Sequence, residues 1–340
     1  MADQPKFILA ASVALSLGLS GCGGGGGGGG LASTPTPTPT PGTSIGAPGL
    51  AVVGGGGAFP TAVDGGATLQ SQVTTTFPLL QSTLSISPSG VVADTATMNS
   101  GSTLTFASGN NSYTIDIQNK PLGVSNLALS PNGHGDFQAY PSGAANVFLQ
   151  IANPATSNLS WTSYGMWDVV TASGARTQSA FVTGYETPVA GAPTQGTATY
   201  SGSVFGEVIG PAAGRENGVN YGALSGDALL QANFGAATIT GNLTNMFTTD
   251  FEGIKTPWNS ISLLGTFSGP NVFTGTAATT SAPGGNLALS SSATGTFAGK
   301  LFGPRGEELG AVWTLSDGVR AAFGTIGAKA VTGEGSPWDY

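Results

Sequence analysis

The chain is poor in most of the residues that do chemistry. Its 340 residues include one cysteine and one histidine. A disulfide within the chain is therefore impossible, and a Cys/His zinc site has no ligand set. Asp, Glu, Lys and Arg together make up only 8 %, about a third of the usual share. The 17 acids outweigh the 9 bases, for a net charge of −8. Such a surface repels nucleic acid and does not favour adsorption of the folded part to anionic lipid. Helix-forming Glu, Lys and Arg are scarce, and no long stretch repeats apolar residues at 3.6 spacing. No Gly-x-Ser-x-Gly elbow appears in a usable context. His134 lies in Asn132-Gly133-His134-Gly135-Asp136, with Asp136 its only near carboxylate, and reads as a solvated turn. The expectation is a protein that is not an enzyme, with no cofactor and no metal.

What the chain does have begins with the position of Cys22. It follows Leu19-Ser20-Gly21 at the end of an apolar run that starts at Phe7. Lys6 and the amino terminus precede that run, which is about 13 residues long and too short to span a bilayer that needs about 20. The pattern predicts a signal peptide over 1–21, cleavage before Cys22, and lipidation of its thiol. Two or more acyl chains anchor stably where one does not. The alternative is an ordinary secretory signal with an incidental cysteine. Gly23 rather than Asp follows, so the usual inner-membrane retention signal is absent, which favours the outer membrane.

Residues 22–59 read as a tether. Gly23–Gly30 is an unbroken glycine run, and Thr34–Pro41 alternates threonine with proline. The first is a flexible coil with a mean reach of about 15 Å, and the second is semi-rigid polyproline II. No Lys-Ser/Thr follows the glycines, so they do not form a phosphate loop.

The remaining part is rich in glycine (56 in the whole chain) and 39 % of the chain is hydrophobic. β-Branched and aromatic residues recur at short intervals, which predicts an all-β protein rather than disorder. From about residue 194 the alternation is regular. Ala228, Leu230, Ala232 and Phe234 share one strand face, and Ile239, Gly241 and Leu243 return on the next. Ile261–Phe267, Phe273–Ala277, Gly295–Leu301, Ala311–Leu315 and Ala321–Thr325 follow, with Asp317-Gly318 as a two-residue hairpin signal. About eight strands in roughly 140 residues predict an eight-stranded antiparallel barrel filled by side chains. Inward glycines opposite aromatics suit its curved wall.

Gly295-Thr296-Phe297-Ala298-Gly299-Lys300-Leu301-Phe302-Gly303-Pro304, Glu307-Glu308-Leu309-Gly310-Ala311-Val312-Trp313 and Ala321-Ala322-Phe323-Gly324 carry a resemblance. They resemble the barrel domain of the transferrin-binding protein B family, single-lobe members included, over about residues 190–330. Thr197–Gly202 is similar to that family's first barrel strand. Arg305-Gly306 after the proline and Ala311 in place of a second glycine depart from the family pattern. The resemblance implies a β-stranded handle before the barrel and a surface lipoprotein of Gram-negative bacteria. In structural terms Gly303, Pro304 and Gly306 make a turn, and Glu307 and Glu308 face solvent or cap it.

The handle is expected over 60–190, with hairpin signals at Thr103–Ala107 and Tyr113–Ile117 and further strands at Asn146–Ile151, Tyr164–Val170 and Ser179–Tyr185. The Pro-bearing stretch 187–196 reads as a linker or exposed loop. The barrel is expected over 191–332, with a tail over 333–340. Trp161, Trp167, Trp258 and Trp313 fit core or rim positions. The candidate binding segment is Thr248–Trp258, read as a long loop, with Phe247, Asp250, Phe251, Glu252, Lys255 and Trp258 setting aromatics among charges. Candidate partners are the membrane through the lipid, an extracellular protein or solute, and a TonB-type receptor or outer-membrane translocator. The competing function is a structural or adhesive lipoprotein with no soluble ligand. A membrane-spanning barrel fits less well, because the chain ends without the usual apolar-alternating strand.

Overall fold

The computed structural model describes residues 74–78, 80–87, 90–93, 103–107, 112–117, 120–124, 128–129, 137–139, 146–152, 159–170, 176–212, 219–250, 253–281 and 283–331. The signal and tether with Cys22, the His134 turn, Phe251, Glu252 and the 333–340 tail lie outside these residues.

Alternation in the second half of the sequence becomes eight long strands that close on themselves. They are β12 (Thr197–Pro211), β13 (Val219–Asn233), β14 (Thr238–Thr249), β16 (Ile261–Phe267), β17 (Val272–Thr279), β18 (Thr294–Phe302), β19 (Glu308–Ser316) and β20 (Ala321–Ala330). Each pairs antiparallel with the next, and β20 returns to β12. A three-residue strand, β15 (Lys255–Pro257), extends the line of β16 along the upper part of β14. The expected all-β class and eight-stranded barrel are therefore what the chain forms.

The lumen is a packed core. Tyr200, Leu230, Ile239, Phe273, Phe297, Leu309, Trp313 and Ile326 belong to one cluster of buried side chains. A Cβ on Gly299 would sit 2.0 Å from Phe273 Cζ, so the wall must lack a side chain where that ring crosses it. This is the glycine–aromatic pairing the sequence predicts. The Tyr200 hydroxyl donates to the Gly306 carbonyl at 2.8 Å. Burial, reinforced by the Glu307 charge, pushes this phenol far above its ordinary value. Both causes favour the neutral, donating form of the phenol.

The two barrel ends differ. One end has three turns (234–237, 268–271 and 303–307), together with the chain's entry at 196 and exit at 331. At the other, Leu287 and Leu289 of the segment after Thr279 fold back into the core. Asn259 secures this cap. Its amide donates to the Ser281 and Leu289 carbonyls and its oxygen accepts the Leu289 N–H. The β19–β20 hairpin at this end closes through four residues, Asp317–Arg320, and not through the two-residue Asp-Gly turn. Within it the Asp317 N–H donates to the Arg320 carbonyl, and the Asp317 carboxylate accepts the N–H groups of Val319, Arg320 and Ser290.

Burial opposes the Asp317 charge, but the Arg320, Ser290 and Val319 N–H bonds and the Arg320 guanidinium outweigh it. The carboxyl is held below its usual range. A carboxyl lowered in the folded state adds stability above its unfolded pKa, about 4, and loses it as pH falls through the lower folded value. A thermal-melt series from pH 5 to pH 2 should therefore show an acid-side loss that Asp317→Asn flattens. An unchanged acid limb would contradict this.

The preceding strands form two sheets. β1 (Thr74–Pro78), β4 (Thr103–Ala107), β5 (Ser112–Ile117) and β6 (Lys120–Val124) make a four-stranded antiparallel sheet. The second has seven strands in the order β3 (Gly90–Ala93), β2 (Leu80–Ser87), β11 (Arg176–Gly184), β10 (Thr162–Val170), β9 (Asn146–Ile151), β8 (Phe137–Ala139) and β7 (Ala128–Leu129).

The seven-stranded sheet lies on the outside of the barrel across β12, β18, β19 and β20. Strands on the far side, such as β14, alternate buried and exposed residues, whereas eight consecutive residues of β19 and eight of β20 are buried. One face of those strands fills the lumen, and the other meets the sheet. Leu80 and Val182 pack on Ala298, Phe302 and Val312. Met166 and Ala180 pack on Ile209, Ala321 and Phe323. A Cβ on Gly310 would come within 2.2 Å of Val182 Cγ1, so glycine sets how closely the two bodies approach.

Candidate functional site

The candidate segment is a hairpin, not a long loop. β14 runs to Thr249, and β15 returns from Lys255, with Thr249 opposite Lys255 and Phe247 opposite Pro257. Asp250 shapes the tip. Its N–H donates to the Ile254 carbonyl, its carbonyl accepts from Gly253, and its Oδ1 accepts the Ile254 N–H at 2.8 Å. Gly253 supplies the positive φ of 80° that this turn requires. The Lys255 ammonium sits 4.4 Å from the centroid of the half-buried Phe247 ring. An exposed contact of that kind contributes about 0.5–1 kcal/mol. Ile254 is 60 % exposed at the same tip.

Trp258 does not join them. The chain breaks its ladder between β15 and β16, and the indole turns into the lumen. There its Nε1–H donates to the Leu287 carbonyl at 2.9 Å, and its ring lies 6.4 Å from that of Trp313. It anchors the cap and is not a surface aromatic. Of the six predicted residues the structure brings together Phe247, Asp250 and Lys255 and buries Trp258. Phe251 and Glu252 lie outside the described residues. Ile254 escaped the sequence reading, because one apolar residue beside Gly253 carries no pattern.

The second feature that reading missed joins the two halves. Glu308 is fully buried and faces the seven-stranded sheet. Its carboxylate accepts the backbone N–H groups of Ser160, Trp161 and Thr162 at 2.6, 2.9 and 2.9 Å. The expectation that it faces solvent or caps the turn is therefore wrong for Glu308. Glu307 does cap that turn, accepting the Arg305 N–H. The two carboxylates therefore serve different places, Glu307 the turn and Glu308 the sheet. Cross-links of the same kind are the Gln178 amide donating to Glu207 and the Lys300–Glu186 ion pair. Residues 185–187, at the start of the Pro-bearing stretch, also touch the barrel. The Thr187 N–H donates to the Leu301 carbonyl, and the Gly303 N–H donates to that of Tyr185, which straps this segment along β18. Among the described residues, no three His, Cys, Asp or Glu side chains gather as a metal site.

A closed meander of eight strands, a β-sheet body latched to its outer wall and a Gly-Pro turn at Gly303-Pro304 are together distinctive. Residues 192–330 match the family model described as the C-lobe and N-lobe beta barrels of Tf-binding protein B. Residues 192–330 are thus similar to the barrels of that family. About three quarters of the chain also aligns with solved structures. Transferrin-binding protein B from Haemophilus parasuis is 17 % identical, with a TM-score of 0.46, covering 75 % of this chain and 45 % of that one. The protein from Neisseria meningitidis is likewise 17 % identical, with a TM-score of 0.44, covering 74 % and 44 %. This chain thus spans less than half the length of either. The N-lobe domain of lactoferrin binding protein B from Moraxella bovis is 12 % identical, with a TM-score of 0.34, covering 76 % of this chain and 100 % of that one. No curated protein matches the sequence. Within the Tf-binding-protein-B-type barrel, the hairpin tip of Asp250 and Lys255 lies at the capped end, away from the strap and the Glu308 latch.

Proposed function

We propose that the chain is a lipid-anchored binding protein of the outer membrane, facing outward, that captures an extracellular protein on the outside of its barrel. The observation that carries this reading is the filled lumen. Tyr200, Trp258, Phe273, Phe297 and Trp313 occupy the space that a barrel with a small ligand would leave open. That argues against a solute held inside. The Phe247–Lys255 hairpin, with Ile254 exposed at its tip, offers mixed apolar and charged contacts of the kind interfaces use. No catalytic step is part of this reading. The ligands named for similar proteins are transferrin and lactoferrin. Loops rather than strands choose the partner, so this similarity does not transfer either ligand to this chain.

The test is retention of one component from host serum or growth medium by the immobilised chain. Saturable capture that falls at least tenfold in Asp250→Ala/Lys255→Glu supports the reading. No saturable capture would leave the structural or adhesive role in its place. Anchoring has its own test. Cys22→Ala is expected to release the protein from membranes, and unchanged retention would refute lipidation as the anchor. A TonB-type receptor or an outer-membrane translocator is the partner expected to co-purify from detergent extracts.

A further inference from the structure

Where the seven-stranded sheet stops covering the barrel wall, a cleft of about 210 Å³ opens between the two. Leu159 and Tyr164 line it from the side of β10, and Ser201, Ser203, Gly327 and Lys329 line it from β12 and β20. Ser201 pairs with Lys329 and Ser203 with Gly327, so all four share the outer face of the wall. Gly327 keeps the hollow shallow-floored. A Cβ there would come within 2.6 Å of Tyr164 Cε1 and 2.8 Å of Leu159 Cδ1. Pockets for drug-sized ligands run to about 300–1,000 Å³, so this one suits a single small group.

The charge in the cleft is what selects its ligand. Lys300, Arg305 and Arg320 each stand at ion-pair distance from a carboxylate. Lys329 does not, although Glu308 lies directly opposite it on β19. Cβ atoms of such a pair are about 4.5–5.5 Å apart, and opposite charges so placed ordinarily attract one another. Here the Glu308 carboxylate is taken by the N–H groups of Ser160, Trp161 and Thr162. The latch that holds the sheet therefore leaves the neighbouring ammonium uncommitted and exposed. The Ser201 and Ser203 hydroxyls are also exposed, and no described residue engages them. No acid lines the cleft. One ammonium and two hydroxyl donors without a carboxylate attract an anion and not a cation. We propose that the cleft binds a phosphate group, with Lys329 as counter-charge and Ser201 and Ser203 donating to its oxygens. Phosphate offers three or more acceptor oxygens on different sides, where a carboxylate offers two. With one exposed cation in an acidic chain, the affinity is about millimolar and falls with salt. The proposal is independent of the binding function above.

The test titrates the full chain, labelled with nitrogen-15, with inorganic phosphate at constant ionic strength and follows the amide shifts. Saturable shifts are expected at Ser201–Ser203 and Gly327–Lys329, with those of β14 unmoved. Lys329→Gln should weaken the binding by about fivefold or more. Its side chain is exposed, so the variant should fold. Arg176→Gln removes the same unit charge at the start of β11 and should leave the affinity unchanged. Glycerol 3-phosphate, run in parallel, separates the two sources of the group. Tighter binding than inorganic phosphate assigns the cleft to an ester, and no gain assigns it to the free ion. The proposal is overturned if the shifts do not saturate. It is also overturned if Arg176→Gln weakens binding as much as Lys329→Gln, which would make the attraction a matter of net charge. Equal shifts with acetate at the same concentrations would overturn it too.

Discussion

Glu308→Ala is expected to loosen the seven-stranded sheet from the barrel by roughly two powers of ten. Three backbone N–H groups, of Ser160, Trp161 and Thr162, converge on this one buried carboxylate. Each donor left without an acceptor in a buried place costs about 1–3 kcal/mol. Water entering the gap recovers part of that, and a net loss of about 3 kcal/mol corresponds to somewhat more than a hundredfold. Hydrogen exchange reads the effect directly. Amides 160–162 should lose protection by about that factor, while the β13–β14 hairpin on the far side stays protected. Unchanged protection would mean that the apolar contacts alone hold the sheet in place. Glu308→Gln keeps one acceptor oxygen but turns an NH₂ toward the same donors, and it should fall between the two. Glu307→Ala is the control. It removes one turn-capping bond and a surface ion pair with Arg305, a change of about 1 kcal/mol.

Trp313→Ala is expected to remove about 3–5 kcal/mol of stability, the range for deleting a large buried aromatic. Its ring is fully buried in the lumen, beside Trp258 and over Gly324. The surrounding wall is a closed hydrogen-bonded ring, so it cannot easily collapse into the gap. For a body of this size the melting temperature should drop by roughly 10 °C or more. Near-ultraviolet circular dichroism should lose the signal of the Trp258–Trp313 pair. A loss below about 1 kcal/mol would show that the lumen is loosely filled. The two substitutions separate cleanly, because one acts on the outer face of β19 and the other on its inner face.

Strands of the second half were legible in the sequence wherever one face meets water. On β13 and β14 solvent imposes a polar residue at every second position, and the apolar set then identifies the inside. β20 shows where that signal fails. Ala321–Thr325 reads as a strand without a clear inside, and Ala321 and Phe323 pack against the seven-stranded sheet. Ala322, Ile326 and Ala328 fill the lumen. Both faces are apolar, so alternation cannot choose between them. Glu308 was opaque for a different reason. Its partners lie 146–148 residues away, and nothing local distinguishes a carboxylate that receives three amides from one that faces solvent. Trp258 carries two readings in the sequence, core or rim and binding segment. The first holds, and the second follows only from its charged neighbours, because the break between β15 and β16 that turns it inward leaves no periodic trace. The departure at Ala311 also becomes intelligible. Its methyl points into the lumen, where there is room for it. At Gly310 a methyl would collide with Val182.

The strands buried on both sides have a bearing on how this molecule can be divided. Cutting at residue 192, where the family match begins, would preserve every rung of the closed ladder. It would also bare Ala298, Phe302, Val312, Ala321 and Phe323 as one greasy stripe down the outside of the cylinder. A fragment so made would look like a self-sufficient unit on paper and behave as a sticky one in solution, seeking a second stripe to cover its own. The module that recurs among relatives and the smallest piece that stays monodisperse are therefore different objects, with the solubility of the first supplied by the sheet that precedes it.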